Sequence, residues 1–205
     1  MHIRWKDGKI YLDQTTYLQK VIERFNLQNV KHAPTPLPEG YQPSPAKENA
    51  SATLRSKYQQ VIGSLLYIML GMRPDIAFAV TKLSQFASNP TEEHLGKVLY
   101  ICCYLLGMPN YALVYNGPGN GRLLAYADSD WASDPITRKS TSGYIVKLAG
   151  AVCSWNTHAQ KTIALSSTEA EYMSLSDTSR QFIWVRNLFS ELGIELAPIP
   201  LYRDN

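Results

Sequence analysis

Cysteine is scarce in this 205-residue chain: there are three, Cys102, Cys103 and Cys153. The number is odd, the spacing suits no metal, and two of them are adjacent within an apolar stretch. Buried thiols in a reducing compartment are the expectation. No apolar run approaches the ~20 residues of a membrane-spanning helix. No charged-then-apolar leader opens the chain, which therefore reads as soluble and intracellular, with no membrane partner. Extremes of charge are missing too. A net charge of +3 and a pI near 8.7 permit a polyanionic partner without requiring one. The chain opens directly on strand-like His2-Ile3-Arg4-Trp5 and stops after Asp204-Asn205, so both ends read as cut.

What is present is a real core, with 45% apolar residues, enough for one or two domains. Residues 2–12 read as a β-hairpin turning at Lys6-Asp7-Gly8-Lys9. Asp13 is placed to cap a helix that runs through Phe25. A connector from Gln28 to about Ala52 holds Pro34, Pro36, Pro38, Pro43 and Pro45 and reads as an extended, partly mobile loop. Three helices follow. The first spans about Leu54–Leu70 and stops at Gly71. The second opens at Pro74 and runs to Ala87, and the third is capped by Thr91 and runs to Gly107. The later half of the third, Val98 to Leu106, is apolar all round, so it is either enclosed or a patch for a partner. Gly117-Pro118-Gly119-Asn120-Gly121 marks a linker. Beyond it the pattern predicts strands near 122–128, 142–149, 151–156 and 161–165, a helix over 168–192 ended by Gly193, and a last strand near 199–203. That is a mixed α/β layer.

Three acids stand out in this second part. Asp128 follows the apolar run Leu123-Leu124-Ala125-Tyr126-Ala127. Glu171 lies one turn inside the helix that opens at Ser166-Ser167-Thr168-Glu169. Asp204 follows Ile199-Pro200-Leu201-Tyr202-Arg203. Two strand ends and a first helical turn can meet at one edge of a sheet. Carboxylates gathered there would repel one another unless cations neutralised them, and oxygen ligands suit Mg²⁺ or Mn²⁺. Each acid also has a plainer reading, as a turn former, a dipole-friendly helix residue or half of an Asp-Asn turn.

The blocks Tyr126-Ala127-Asp128-Ser129-Asp130-Trp131-Ala132, Arg138-Lys139-Ser140-Thr141-Ser142-Gly143-Tyr144, Ala164-Leu165-Ser166-Ser167-Thr168-Glu169-Ala170-Glu171-Tyr172 and Asp204-Asn205 occur in that order. They resemble the ribonuclease H domain of copia-type LTR-retrotransposon Pol polyproteins. Pro34-Thr35-Pro36-Leu37, Val61-Ile62-Gly63-Ser64-Leu65-Leu66-Tyr67 and Arg73-Pro74-Asp75-Ile76-Ala77 resemble the end of that family's reverse transcriptase. The resemblance implies a thumb-like helical segment at 1–116, the linker 117–121, and an incomplete ribonuclease H-like mixed sheet over 122–205. It further implies hydrolysis of the RNA strand of an RNA–DNA hybrid with two Mg²⁺ or Mn²⁺ ions held by Asp128, Glu171 and Asp204. Arg138, Lys139, Ser140 and Ser142 would touch hybrid phosphates, although a polar hairpin tip explains them equally well. The other implied partner is the rest of the Pol polyprotein, in the cytoplasm (within a virus-like particle) or in the nucleus.

The chain also departs from the pattern. The Tyr-x-Asp-Asp polymerase hairpin is absent, as is a fourth ribonuclease H carboxylate. His158-Ala159 stands where the family carries a basic pair before Gln160. Leu99, Tyr100, Cys103 and Leu106 stand where it carries Lys and Arg. An alternative reading is therefore a decayed remnant without catalysis that at most binds nucleic acid, or a protein partner through the apolar helix. A transposase- or resolvase-like nuclease is a third reading, opposed by the thumb-like helices.

Overall fold

The computed structural model describes residues 1–116, 123–148, 150–195 and 200–202; the proposed linker and Asp204 lie outside the described residues. The fold is mixed α/β, with five α-helices and two sheets among the described residues. The chain divides into two compact units, one of Met1–Arg4 with Tyr11–Leu113, the other of Trp5–Ile10 with Val114–Asn205.

Strands β1 (His2–Lys6) and β2 (Lys9–Asp13) flank a two-residue turn. Asp7 and Gly8 both take positive φ, 51° and 70°, as that turn type demands. Asp13 does not cap the following helix, α1 (Thr15–Arg24); Gln14 occupies that position without a side-chain capping bond. The Asp13 carboxylate is buried and taken by Arg4 at 2.9 Å and by the Thr15 N–H at 3.1 Å. A cation from the preceding strand outcompeted the local cap.

The proline-rich connector forms no helix or strand, as predicted, but it packs rather than hanging free. Ala33 donates to the Cys103 carbonyl at 3.4 Å, and Ala50 donates to Asn89 Oδ1 at 2.7 Å. Helix α2 (Ala52–Gly71) is capped by Ser51. A one-turn 3-10 helix at Pro74–Ile76 leads into α3 (Ala77–Ser84), shorter than the predicted run to Ala87. Helix α4 (Glu92–Gly107) opens with Thr91 accepting from the His94 N–H, while His94 Nδ1 accepts from the Thr91 N–H. The core of this unit is Tyr58, Val61, Leu65, Ile68, Ile76, Val80, Leu83, Val98, Ile101 and Leu105, all under 2% exposed. At ~1.5–3 kcal/mol for each large apolar side chain buried, this layer dominates the unit's stability. Helix α4 is enclosed: Cys102 is fully buried, and Leu99, Tyr100, Cys103 and Leu106 are half-buried. The Cys102 thiol is pushed up to about 12, chiefly by burial.

The second unit is built on a four-stranded sheet in the order β6-β5-β4-β7. Strands β4 (Leu123–Asp130), β5 (Thr141–Leu148) and β6 (Ala151–Ala159) form an antiparallel meander; the short strand β3 (Leu113–Tyr115) precedes them. Strand β7 (Leu201–Tyr202) returns parallel to β4, with Ala125 opposite Leu201 and Tyr126 opposite Tyr202. Between β6 and β7 runs α5 (Ser167–Glu191). It ends as predicted, with Gly193 at φ 74° and the Ile194 N–H donating to the Phe189 carbonyl. The predicted strand at 161–165 is absent. Ile163 and Leu165 are exposed there, and the segment is a loop that delivers the chain into α5. Alternate residues Leu123, Ala125 and Val146 face Val185, Phe182 and Phe189 of α5, with Leu201 packed on the same cluster.

Candidate functional site

Helix α5 is held at its entry by local chemistry. Ser166 Oγ accepts from the Glu169 N–H at 3.1 Å, and the Glu169 carboxylate accepts in turn from the Leu165 N–H at 2.6 Å. The Trp131 indole N–H, just past β4, donates to the Ala164 carbonyl and ties the two approaches together. One turn further in, polar bonds fix the helix to the sheet. Ser174, 2% exposed, donates from Oγ to the Asp128 carbonyl at 2.6 Å and lies 3.3 Å from the Gly143 carbonyl. Gln160 is buried and donates from Nε2 to Ser142 Oγ at 2.9 Å and to the Ala170 carbonyl at 2.8 Å.

These bonds decide where the acids go. Asp128 is exposed, sits opposite Gly143 in the β4–β5 ladder, and lies under the helical turn of Ser174. Glu171 is half-buried, three residues before Ser174 and hence about one helical turn back, or ~5 Å along the axis. The Ser174 bond ties α5 to the Asp128 backbone, while the alternation of β4 puts the Asp128 side chain on the exposed face with Tyr126 and Asp130. For the third acid, only the approach is described. Strands β4 and β7 pair at Tyr126 and Tyr202, and Asp128 follows Tyr126 by two residues in β4. Among the described residues no group of three or more His, Cys, Asp or Glu side chains is placed to hold a metal ion, and Asp204 lies outside that set. Carboxylates such as those of Asp128 and Glu171 are oxygen donors of the type that Mg²⁺ and Mn²⁺ take.

The loop between β4 and β5 divides the four predicted phosphate contacts. Asp134 organises it by accepting from the Ile136 N–H and the Thr137 hydroxyl, and its backbone brackets Arg138 and Lys139. Arg138 is exposed, at a positive φ of 57°, and Lys139 is half-exposed. Ser140 and Ser142 are 0% and 1% exposed. Ser140 Oγ accepts from the Ala132 N–H, and Ser142 Oγ accepts from Gln160. Both serines serve the fold, which leaves Arg138 and Lys139 as the two of the four that face solvent.

Sequence reasoning missed Ser174 and Gln160, the residues that seat the helix. A signal for Ser174 existed, since it shares the inward helical stripe of Ala170 and Thr178. None existed for Gln160, whose partners lie 18 and 10 residues away. It also missed the pairing of His158 with Asp177, Nε2 to Oδ2 at 2.9 Å. The carboxylate can only accept, so Nε2 carries the proton.

No protein-family model and no solved structure matches the chain. Whole-length relatives do. The retrovirus-related Pol polyprotein from transposon TNT 1-94 of Nicotiana tabacum is 37% identical across 96% of this chain and 15% of its own length. The corresponding Pol polyprotein from transposon RE1 of Arabidopsis thaliana is 40% identical across 96% of this chain and 13% of its own. A secreted RxLR effector protein of Plasmopara viticola is 43% identical across 62% of this chain and 90% of itself. The chain spans only 13–15% of the length of these two Pol polyproteins. Along nearly its whole length, then, the chain is similar to retrovirus-related Pol polyproteins of transposons, each of which extends far beyond it.

Proposed function

We propose that this stretch of Pol polyprotein spans the end of a reverse transcriptase and a ribonuclease H-like domain. In this reading the second unit cuts the RNA strand of an RNA–DNA hybrid. The observation that carries it is the seat of Ser174 on the Asp128 carbonyl, which sets the turn bearing Glu171 against the far end of β4. A three-stranded antiparallel meander, a helix and a strand returning parallel to the first are the arrangement expected of that domain.

Asp128, Glu171 and Asp204 are the ligands proposed for two divalent ions. When bound, such ions supply an activated water and neutralise charge on the leaving oxygen. The protein's own share is placement: Ser174 and Gln160 fix α5 on the sheet, and the capped Ser166 entry fixes the first turn. Arg138 and Lys139 would hold phosphates of the hybrid, which positions the duplex without reading its sequence. The remaining Pol polyprotein, with its palm and fingers, would be the partner in cis.

The test is cleavage of a labelled RNA–DNA hybrid by the purified chain in Mg²⁺. Asp128→Asn and Glu171→Gln should each lower the rate on the order of 100-fold or more while leaving the melting temperature in place. Equal cleavage by wild type and both variants would reject the site.

A further inference from the structure

A second feature of this unit lies on the other flank of α5. A cleft of about 630 Å³ runs between the edge strand β6 and the helix, lined among others by Asn156, His158, Lys161, Asp177, Arg180 and Trp184. That volume is in the range of small-ligand sites, ~300–1,000 Å³. The cleft lining is mixed, with Tyr144, Met173 and Trp184 beside the charged and amide side chains.

Its chemistry is specific. Two cations, Lys161 and Arg180, face one carboxylate, Asp177. Asp177 is already engaged twice, by His158 Nε2 at 2.9 Å and by Arg180 Nη2. One of the five guanidinium donors is thereby used, and the rest stay directed outward from a side chain 74% exposed. Trp184, one turn beyond Arg180 on the same flank, offers an indole that is 59% exposed. A fixed guanidinium next to an open indole matches a phosphate joined to a flat ring. Asn156, opposite on β6, carries an amide that both donates and accepts toward such a ring's edge.

We infer that the β6–α5 cleft binds a nucleotide unit of a single nucleic-acid strand, its phosphate on Arg180 and Lys161 and its base stacked on Trp184. The choice of a strand over a free nucleotide rests on the proposed nuclease function. An open indole also favours a strand, because stacking on one exposed face holds a lone nucleotide weakly while neighbouring contacts add along a chain. His158 secures Asp177, and Asp177 in turn holds Arg180.

The experiment is a fluorescence-anisotropy titration of the full chain with a labelled 12-nucleotide oligothymidylate. Unlabelled oligomer, thymidine monophosphate and inorganic phosphate serve as competitors. A chelator and the absence of divalent ions keep the reading independent of the Asp128 centre, so hybrid cleavage and strand binding fail separately. Arg180→Ala and Trp184→Ala should each weaken oligomer binding about ten-fold or more, and Trp184→Phe should restore most of it. Arg180→Ala should also reduce the salt slope by about 0.7, as loss of one single-strand phosphate contact requires. Arg180 and Trp184 are exposed, and a melting curve for each variant verifies the fold. Oligomer affinity unchanged in both alanine variants would overturn the inference. So would thymidine monophosphate competing as well as the oligomer, mole for mole.

Discussion

In the first unit, Arg73, Tyr58 and His94 are buried and bonded within the fold. Arg73 holds Asp75 through Nε and Nη2 at 2.7–3.1 Å and the Met108 carbonyl through Nη1 at 3.0 Å. The Tyr58 hydroxyl donates to the Leu83 carbonyl at 2.7 Å, and His94 completes a capping box. Ser129 Oγ, His158 Nδ1 and Gln160 Oε1 of the second unit, and Gln14 Oε1 and Tyr41 OH of the first, are buried with no hydrogen-bond partner among the described residues. An unsatisfied buried polar atom costs about 1–3 kcal/mol, and such atoms collect where a fold serves something besides itself. The second unit's three lie on β4, on β6 and just past β6, beside the cleft and the strand that carries Asp128. The contrast is therefore one of what the polar anchors hold: Arg73, Tyr58 and His94 join helices and turns of the first unit, whereas Ser174 and Gln160 seat the helix that carries Glu171.

Removing a polar anchor of the first unit should therefore cost stability alone. Arg73→Ala removes the buried guanidinium and its bonds to Asp75 and the Met108 carbonyl, and should destabilise by roughly 1–3 kcal/mol, read as a lower urea midpoint for the helical unit. An unchanged midpoint would mean that the Arg73 network is idle. In the second unit the matching change should touch stability and chemistry together. Ser174→Ala should cost about 1–3 kcal/mol and also slow hybrid cleavage, because the turn bearing Glu171 loses its seat on β4. A Ser174→Ala protein of lowered stability with full cleavage would erase the distinction between the units.

The smallest expected effect is a pH dependence. Burial holds His94 below the ordinary histidine value of 6.5, against the opposing pull of Glu93 and a hydrogen bond with the Ser44 backbone. The unfolded chain therefore binds this proton more readily than the folded one. The contribution is present in full above pH 6.5 and fades as pH falls through the lower, folded value. Melting temperature should drop between pH 7.5 and 5.5, and His94→Gln should flatten the drop. An unchanged slope in the variant would assign the effect to other groups.

What could be read from the sequence was mostly what the chain decides within a few residues. Asp7-Gly8 dictated the hairpin, Thr91 and Ser166 the helix starts, Gly193 a helix end, and the apolar run before Asp128 a strand, which the structure leaves exposed on one face. The errors came where a distant group overruled a local preference. Asp13 looked like a cap until Arg4 claimed it, and Lys161–Leu165 looked like a strand although no neighbour pairs with it. Ser140 and Ser142 looked like surface hydroxyls because their partners, the Ala132 N–H and Gln160, are brought in only by the folded sheet. At the candidate site the acids were named by their placement together with the family resemblance. The Ser174 bond that ties α5 to β4 was not legible, since it joins residues 46 apart.

The most direct measurement of the central claim is a calorimetric titration of the chain with Mn²⁺. The account predicts binding of two ions by the wild type, with at least one lost in Asp128→Asn and in Glu171→Gln. A wild-type chain that takes up no Mn²⁺, or variants that bind both ions as the wild type does, would contradict it.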